Sequence, residues 1–131
     1  MSDRELLDAA IAARSGSYSP YSRFPVGAVL RDRDGKLWSG ANVENASYGL
    51  GMCAERTAVF NAVAQGARGF DVVAVSGPDG TTTLPCGACR QVLWEFGPGM
   101  AVVYADAGEP KRIALRDLLP HAFGPDDLSG R

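Results

Sequence analysis

Val26-Gly27-Ala28-Val29-Leu30-Arg31-Asp32-Arg33-Asp34-Gly35-Lys36-Leu37-Trp38-Ser39-Gly40-Ala41-Asn42-Val43 is the stretch on which the fold turns. Two apolar-rich runs flank Asp34-Gly35, a dipeptide suited to a tight hairpin turn, so Val26 to Arg33 and Lys36 to Val43 read as antiparallel strands. Downstream the spacing changes. Ala54, Ala58, Val59, Ala62 and Val63 recur at helical intervals, which predicts a helix from about Cys53 to Gln65 with Gly66 as its C-terminal cap. Val72 to Val75 is then a buried strand. The arrangement returns as a loop from Gly77 to Pro85, a helix from about Cys86 to Phe96 and a strand from Met100 to Ala105. Ile113 adds a short fifth strand, and Leu115 to Leu119 a last short helix. Upstream, Ser2 and Glu5 have capping-box spacing, and Leu6, Leu7, Ala10, Ile11 and Ala13 mark a helical face ending near Gly16. Tyr18 to Pro25, with two prolines, is a loop. Helices between successive strands require crossovers and some parallel pairs. The expectation is an α/β fold, a three-layer α/β/α sandwich around a mixed sheet of about five strands, with Leu6, Leu7, Ile11 and Val92 in the core.

The 131 residues are enough for one core, so residues 1–131 read as a single domain. Fifteen acidic against 13 basic residues give a net charge of −2, and only Lys36 and Lys111 are lysines. No basic stripe exists to follow a polyanion, which argues against a nucleic-acid partner. The apolar runs are short, and the N-terminus opens Met1-Ser2-Asp3-Arg4-Glu5, which speaks against a membrane span or an export signal. Cys53, Cys86 and Cys89 are an odd set that fits a reducing compartment, and the cytoplasm is the expected location.

Those thiols stand at two predicted helix starts, each following a strand. Two such starts can converge at one end of a sheet and bring three sulfurs to a single ion. Zn²⁺ suits the set: thiolates bind it at about 2.3 Å, and three protein ligands leave the fourth position open, as catalytic sites require. Helix N-termini favour the thiolate form. Glu55, two residues after Cys53, lies in the first turn of its helix, within reach of a water at the metal. Three thiolates outweigh the ion's charge and weaken its pull on water. Arg56 and Arg90, one turn beyond Cys53 and Cys86, are placed to neutralise the sulfurs.

Cys53-Ala54-Glu55 followed by Pro85-Cys86-Gly87-Ala88-Cys89 has the pattern of zinc nucleobase deaminases. Pro20 to Ala28, Asn42-Val43-Glu44-Asn45, Tyr48-Gly49-Leu50, Cys89-Arg90-Gln91-Val92-Leu93, Leu118-Leu119-Pro120 and Phe123 extend the match over roughly residues 18 to 128. In this the chain resembles the small homotetrameric cytidine deaminases. The resemblance implies hydrolytic deamination of cytidine and 2′-deoxycytidine to uridine and 2′-deoxyuridine in pyrimidine salvage, with one Zn²⁺ per chain on Cys53, Cys86 and Cys89. It gives Glu55 the proton transfers from the attacking water to N3 and to the departing ammonia. It has the Ala54 backbone fix the base, Phe24 pack on it, and Asn42 and Glu44 bind the ribose hydroxyl. Tyr48 and Phe123 would serve sites of neighbouring subunits in a homotetramer.

Residue by residue, plainer readings stand beside these. Cys86-Gly87-Ala88-Cys89 also fits a dithiol redox motif, and His121 could close a structural zinc site. Glu55 fits a helix dipole, and Phe24 and Tyr48 fit packing aromatics. Asn42 and Glu44 fit strand-end polar positions, and Arg56 and Arg90 a solvated helix face. At the level of function, the alternatives are a deaminase of a modified nucleoside and a zinc-binding interaction module without turnover.

Overall fold

The computed structural model describes residues 1–129. The hairpin forms β1 (Gly27–Asp32) and β2 (Leu37–Ala41), with Leu30 opposite Trp38. Asp32 organises its turn, accepting from the amides of Asp34 and Lys36, both at 2.9 Å, and from Trp38 Nε1 at 3.0 Å. The Trp38 hydrogen bond, helped by those amides, holds the Asp32 carboxyl below the usual carboxylate range.

β3 (Phe70–Ser76) pairs antiparallel with the other side of β1, β4 (Ala101–Asp106) lies parallel to β3, and β5 (Glu109–Ala114) closes the edge antiparallel to β4. Among the described residues the sheet runs β2-β1-β3-β4-β5. Because β1 opposes both β2 and β3, strands β2, β3 and β4 share one direction. Helix α2 (Ala54–Ala64) follows β2 and helix α3 (Gly87–Phe96) follows β3. Both helices therefore start beyond the C-terminal ends of parallel strands, at the same end of the sheet.

Residue alternation along the strands sorts two cores. Val29, Val72, Ala74 and Val103 meet Leu6, Leu7 and Ala10 of α1 (Asp3–Ala13) on one face. Leu30, Val73, Val75 and Val102 meet Ala58, Val59 and Ala62 of α2, Leu93 of α3 and Leu115 of α4 (Leu115–Leu118) on the other. This is the expected three-layer α/β/α sandwich. The Ser2 and Glu5 capping box is present at α1.

Three readings need correction. Ile113 belongs to a six-residue strand rather than a short one, entered through a turn in which Ala107 and Gly108 both have positive φ. Pro110, Lys111 and Arg112 disguise it because an edge strand needs neither alternation nor a donor at every residue. The last helix stops at Leu118, with Leu119 its cap. Ile11 and Val92 are only partly buried, packing on the margins of the two cores. No described helix is long and apolar enough to cross a membrane.

Candidate active site

Cys53 and Cys86 are the N-caps of α2 and α3, one position before the first helical residue, and neither side chain caps a backbone amide of its helix. N-caps usually spend a side-chain acceptor on a free amide of the first turn. Here the sulfurs leave those amides and meet other side chains, each other and Arg56. Cys53 Sγ is 3.8 Å from Cys86 Sγ, Cys86 Sγ is 3.6 Å from Cys89 Sγ, and all three lie within 4.8 Å. Tetrahedral zinc with bonds of about 2.3 Å needs sulfurs about 3.8 Å apart. The three cysteines fit that ion. Among the described residues His121 is no part of the cluster.

Glu55 is 4% exposed. Burial pushes its carboxyl up to about 7, aided by the Cys53 charge and opposed by its backbone hydrogen bond and by Arg56. Cys53 is drawn down to about 5, first by the hydrogen bond from Cys89 and then by Arg56. Cys89 goes up, as the donor of that bond and through burial. A divalent cation among the sulfurs would lower all three, because its charge favours every anionic neighbour. Arg56 Nη2 lies 3.4 Å from Cys53 Sγ, as expected, and that contact raises the guanidinium's own pKa. Arg90 departs from expectation. Its Nε donates to Pro85 O at 2.7 Å and its Nη1 to Leu118 O at 3.0 Å; its hydrogen bonds serve backbone carbonyls, and among the described residues Arg56 is the arginine that reaches a sulfur.

The cluster lies in a cavity of about 350 Å³ whose wall includes Asn42, Glu44, Tyr48, Ala54, Glu55 and Thr83. That volume is in the usual range for small-molecule sites, roughly 300–1,000 Å³. The wall also holds Val26, Val43, Met52 and Leu84, apolar residues for which the sequence reading proposes no contact; their places beside the motif residues were the available signal. Asn42 Oδ1 accepts from Val26 N at 2.9 Å and Ser17 Oγ at 2.5 Å, and its Nδ2 donates to Phe24 O at 2.9 Å. One Nδ2 hydrogen remains. The Glu44 carboxylate accepts from Ser22 Oγ and from the amides of Tyr21 and Ser22 at 3.0 and 3.1 Å. The Ser22 hydroxyl is the first cause of its lowered pKa.

Not every expected contact gathers there. Tyr48, 80% exposed, stands on the lip of its own chain's cavity, its ring centroid 5.9 Å from that of Tyr21. Phe24 and Phe123 are exposed and outside the wall. Phe123 lies beside α3, its carbonyl accepting from Gln91 Nε2 at 2.8 Å.

A mixed α/β/α sheet with three thiols and a buried carboxyl at the strand ends defines a zinc-binding enzyme site. The family model for the cytidine and deoxycytidylate deaminase zinc-binding region matches residues 1–105. The chain is 48% identical over 130 residues to a cytidine deaminase of Halalkalibacterium halodurans, covering 97% of this chain and 98% of that one. A cytidine deaminase of Sporosarcina psychrophila is 44% identical, with 98% of this chain and 96% of that one covered. The crystal structure of cytidine deaminase from Burkholderia pseudomallei superposes with a TM-score of 0.88 at 50% identity, covering 94% of this chain and all of that one. The chain belongs to the cytidine and deoxycytidylate deaminase family, and it is an enzyme of that family.

Proposed function

We propose that the protein hydrolyses cytidine and 2′-deoxycytidine to uridine and 2′-deoxyuridine with release of ammonia, in pyrimidine salvage. The observation that carries this is the buried Glu55 carboxyl in one cavity wall with the three-sulfur cluster. Zinc held by Cys53, Cys86 and Cys89 supplies, when bound, the Lewis acidity that makes water a nucleophile near neutral pH. Glu55 takes the water's proton, carries it to N3 as oxygen bonds to C4, and passes a proton to the amino group as the C4–N bond breaks. Water adds and ammonia leaves, so the atoms balance without a redox partner. Arg56 keeps the Cys53 sulfur anionic. The Ala54 backbone, at the buried start of α2, orients the base.

The sugar is read by Glu44 and Asn42. Glu44, an ionised acceptor with one lone-pair site beyond the three used by Tyr21 and Ser22, receives a ribose hydroxyl, and the spare Nδ2 hydrogen of Asn42 completes the grip. Phe24 packs against the base. The same proposal treats residues 1–131 as one domain, supported by a single sheet with a core on each face; residues 130 and 131 lie outside those described. It also includes a homotetramer in the cytoplasm, in which Tyr48 and Phe123 serve neighbouring sites. The exposure of Tyr48 on the cavity wall and of Tyr21 beside it supports such an assembly, since packing would cover that apolar surface.

Ultraviolet absorbance tests the reading with cytidine, 2′-deoxycytidine and a dinucleotide extended on the 3′ side of the cytidine. Both nucleosides should be deaminated. The dinucleotide lacks the hydroxyl proton for Glu44, a charge-assisted bond worth about 1.5–3 kcal/mol, so its kcat/KM should fall about 10- to 150-fold. No absorbance change with either nucleoside would defeat the proposal, and equal rates with the dinucleotide would remove Glu44 from sugar recognition.

A further inference from the structure

Arg56, three residues after Cys53, and Arg90, four after Cys86, each lie about one helical turn beyond a zinc-ligand position, yet the structure gives them different surroundings. The residue before Cys86 is Pro85, buried and without an N–H, so its carbonyl is the only backbone group through which it can be tied. It ends the loop from Gly77, and the helix that follows has no side-chain cap and no acidic residue in its first turn. The sulfur of an exposed cysteine at such a junction has little to hold it. Arg90 supplies the missing restraint. Its Nε takes Pro85 O at 2.7 Å, its Nη1 takes Leu118 O in α4 at 3.0 Å, and its own amide takes Cys86 O at 2.9 Å. One residue thus bonds the peptide groups on both sides of Cys86 and anchors them to α4.

We propose that Arg90 is a positioning residue for Cys86, acting through the two directions of its planar guanidinium and not through its charge. This rests on the ligand assignment of the three cysteines. A guanidinium presents donors in a fixed fork, whereas a lysine ammonium is a point charge that cannot span two carbonyls in the same geometry. Partners that orient a metal ligand typically govern metal affinity by about 10- to 100-fold.

The test measures zinc release from the folded holoenzyme to a colorimetric chelator, well below the unfolding temperature, for Arg90→Lys, Arg90→Gln and the control Gln91→Ala. Gln91→Ala removes the neighbouring tie from α3 to Phe123 O without touching Pro85. Both Arg90 variants should release zinc about 10- to 100-fold faster than the unsubstituted enzyme, and Gln91→Ala at the unsubstituted rate. Full retention in Arg90→Lys with fast release in Arg90→Gln would overturn the proposal in favour of charge. Equal acceleration by Gln91→Ala would overturn it in favour of general loosening of α3. If both Arg90 variants are too unstable to isolate, Arg90→Met and Arg90→His replace them under the same criterion, fast release against an unchanged Gln91→Ala. A purified unsubstituted enzyme without zinc would instead defeat the ligand assignment, and the inference with it.

Discussion

At the start of α2, Ala54 and Glu55 are buried beneath β2, and the nearby arginine reaches a sulfur with Nη2 while its Nε is left buried without a partner. At the start of α3, Cys86, Gly87 and Ala88 are exposed, and the arginine has both Nε and Nη1 on carbonyls. The two starts are related by the same strand-then-helix topology and present sulfurs to the same point. One has been made dry and charged, the other open and tied down through its backbone. The difference assigns the chemistry. A proton carrier needs a low-dielectric wall to hold its pKa near the working pH, which the α2 end supplies, while the α3 end brings the Cys86 sulfur to the same cavity.

The largest effect should come from breaking the chemical half of this contrast. Glu55→Gln keeps the shape and removes the exchangeable proton, so kcat should fall about 10²- to 10⁴-fold, or about 3–5 kcal/mol of transition-state stabilisation. Zinc content and far-ultraviolet circular dichroism should stay as they were. A loss of less than tenfold would mean that the enclosed end is only a support.

A smaller effect should come from the packing that encloses α2. Gly40 lies in β2 directly under the helix, and a Cβ there would stand 2.5 Å from both Ala54 O and Ala58 N. Those are backbone atoms that cannot turn aside, and Ala54 precedes the proposed proton carrier. Gly40→Ala should cost about 1–3 kcal/mol of stability by thermal unfolding of the zinc-loaded protein, with a drop in turnover as the helix start shifts. Unchanged stability would show that α2 can slide on the sheet and that its start is not fixed by this contact.

How much of this contrast could be read beforehand depends on the kind of interaction. The β1–β2 hairpin and the two crossover helices were legible because Asp34-Gly35 and the alanine spacing of α2 are local signals. The metal ligands were legible because both cysteine-bearing segments sit at helix starts whose strands run in one direction. Arg90 was not legible. Its position four residues after Cys86 suggests a sulfur partner, but Leu118 O, 28 residues away in sequence, competes for the same guanidinium, and no periodicity encodes that meeting. Glu44 shows the same limit: its bonds to Tyr21 and Ser22 depend on the loop returning beside β2, fixed by the Tyr18 amide on Asn42 O at 2.9 Å. Phe123 was placed by resemblance alone, and within one chain it remains away from the cavity.

The smallest effect should come from filling the open end. Gly87 opens α3, has no positive φ, and a Cβ built there meets nothing within 4 Å. Alanine can adopt this conformation without strain, and it restricts the unfolded chain more than glycine does, which is worth about 0.4–1 kcal/mol in favour of the folded state. Gly87→Ala should therefore raise the unfolding temperature slightly while leaving zinc content alone, opposite in sign to the same one-methyl change at Gly40. The measurement also bears on assembly. In an isolated chain the Gly87 surface faces solvent, so a stability loss of more than about 1 kcal/mol, the scale of an overpacked contact, would require another chain resting on the start of α3. Size-exclusion chromatography of Gly87→Ala beside the unsubstituted protein separates the cases: an unchanged elution volume with raised stability keeps the α3 end open, and a shift to smaller species with lost stability makes it an interface between subunits.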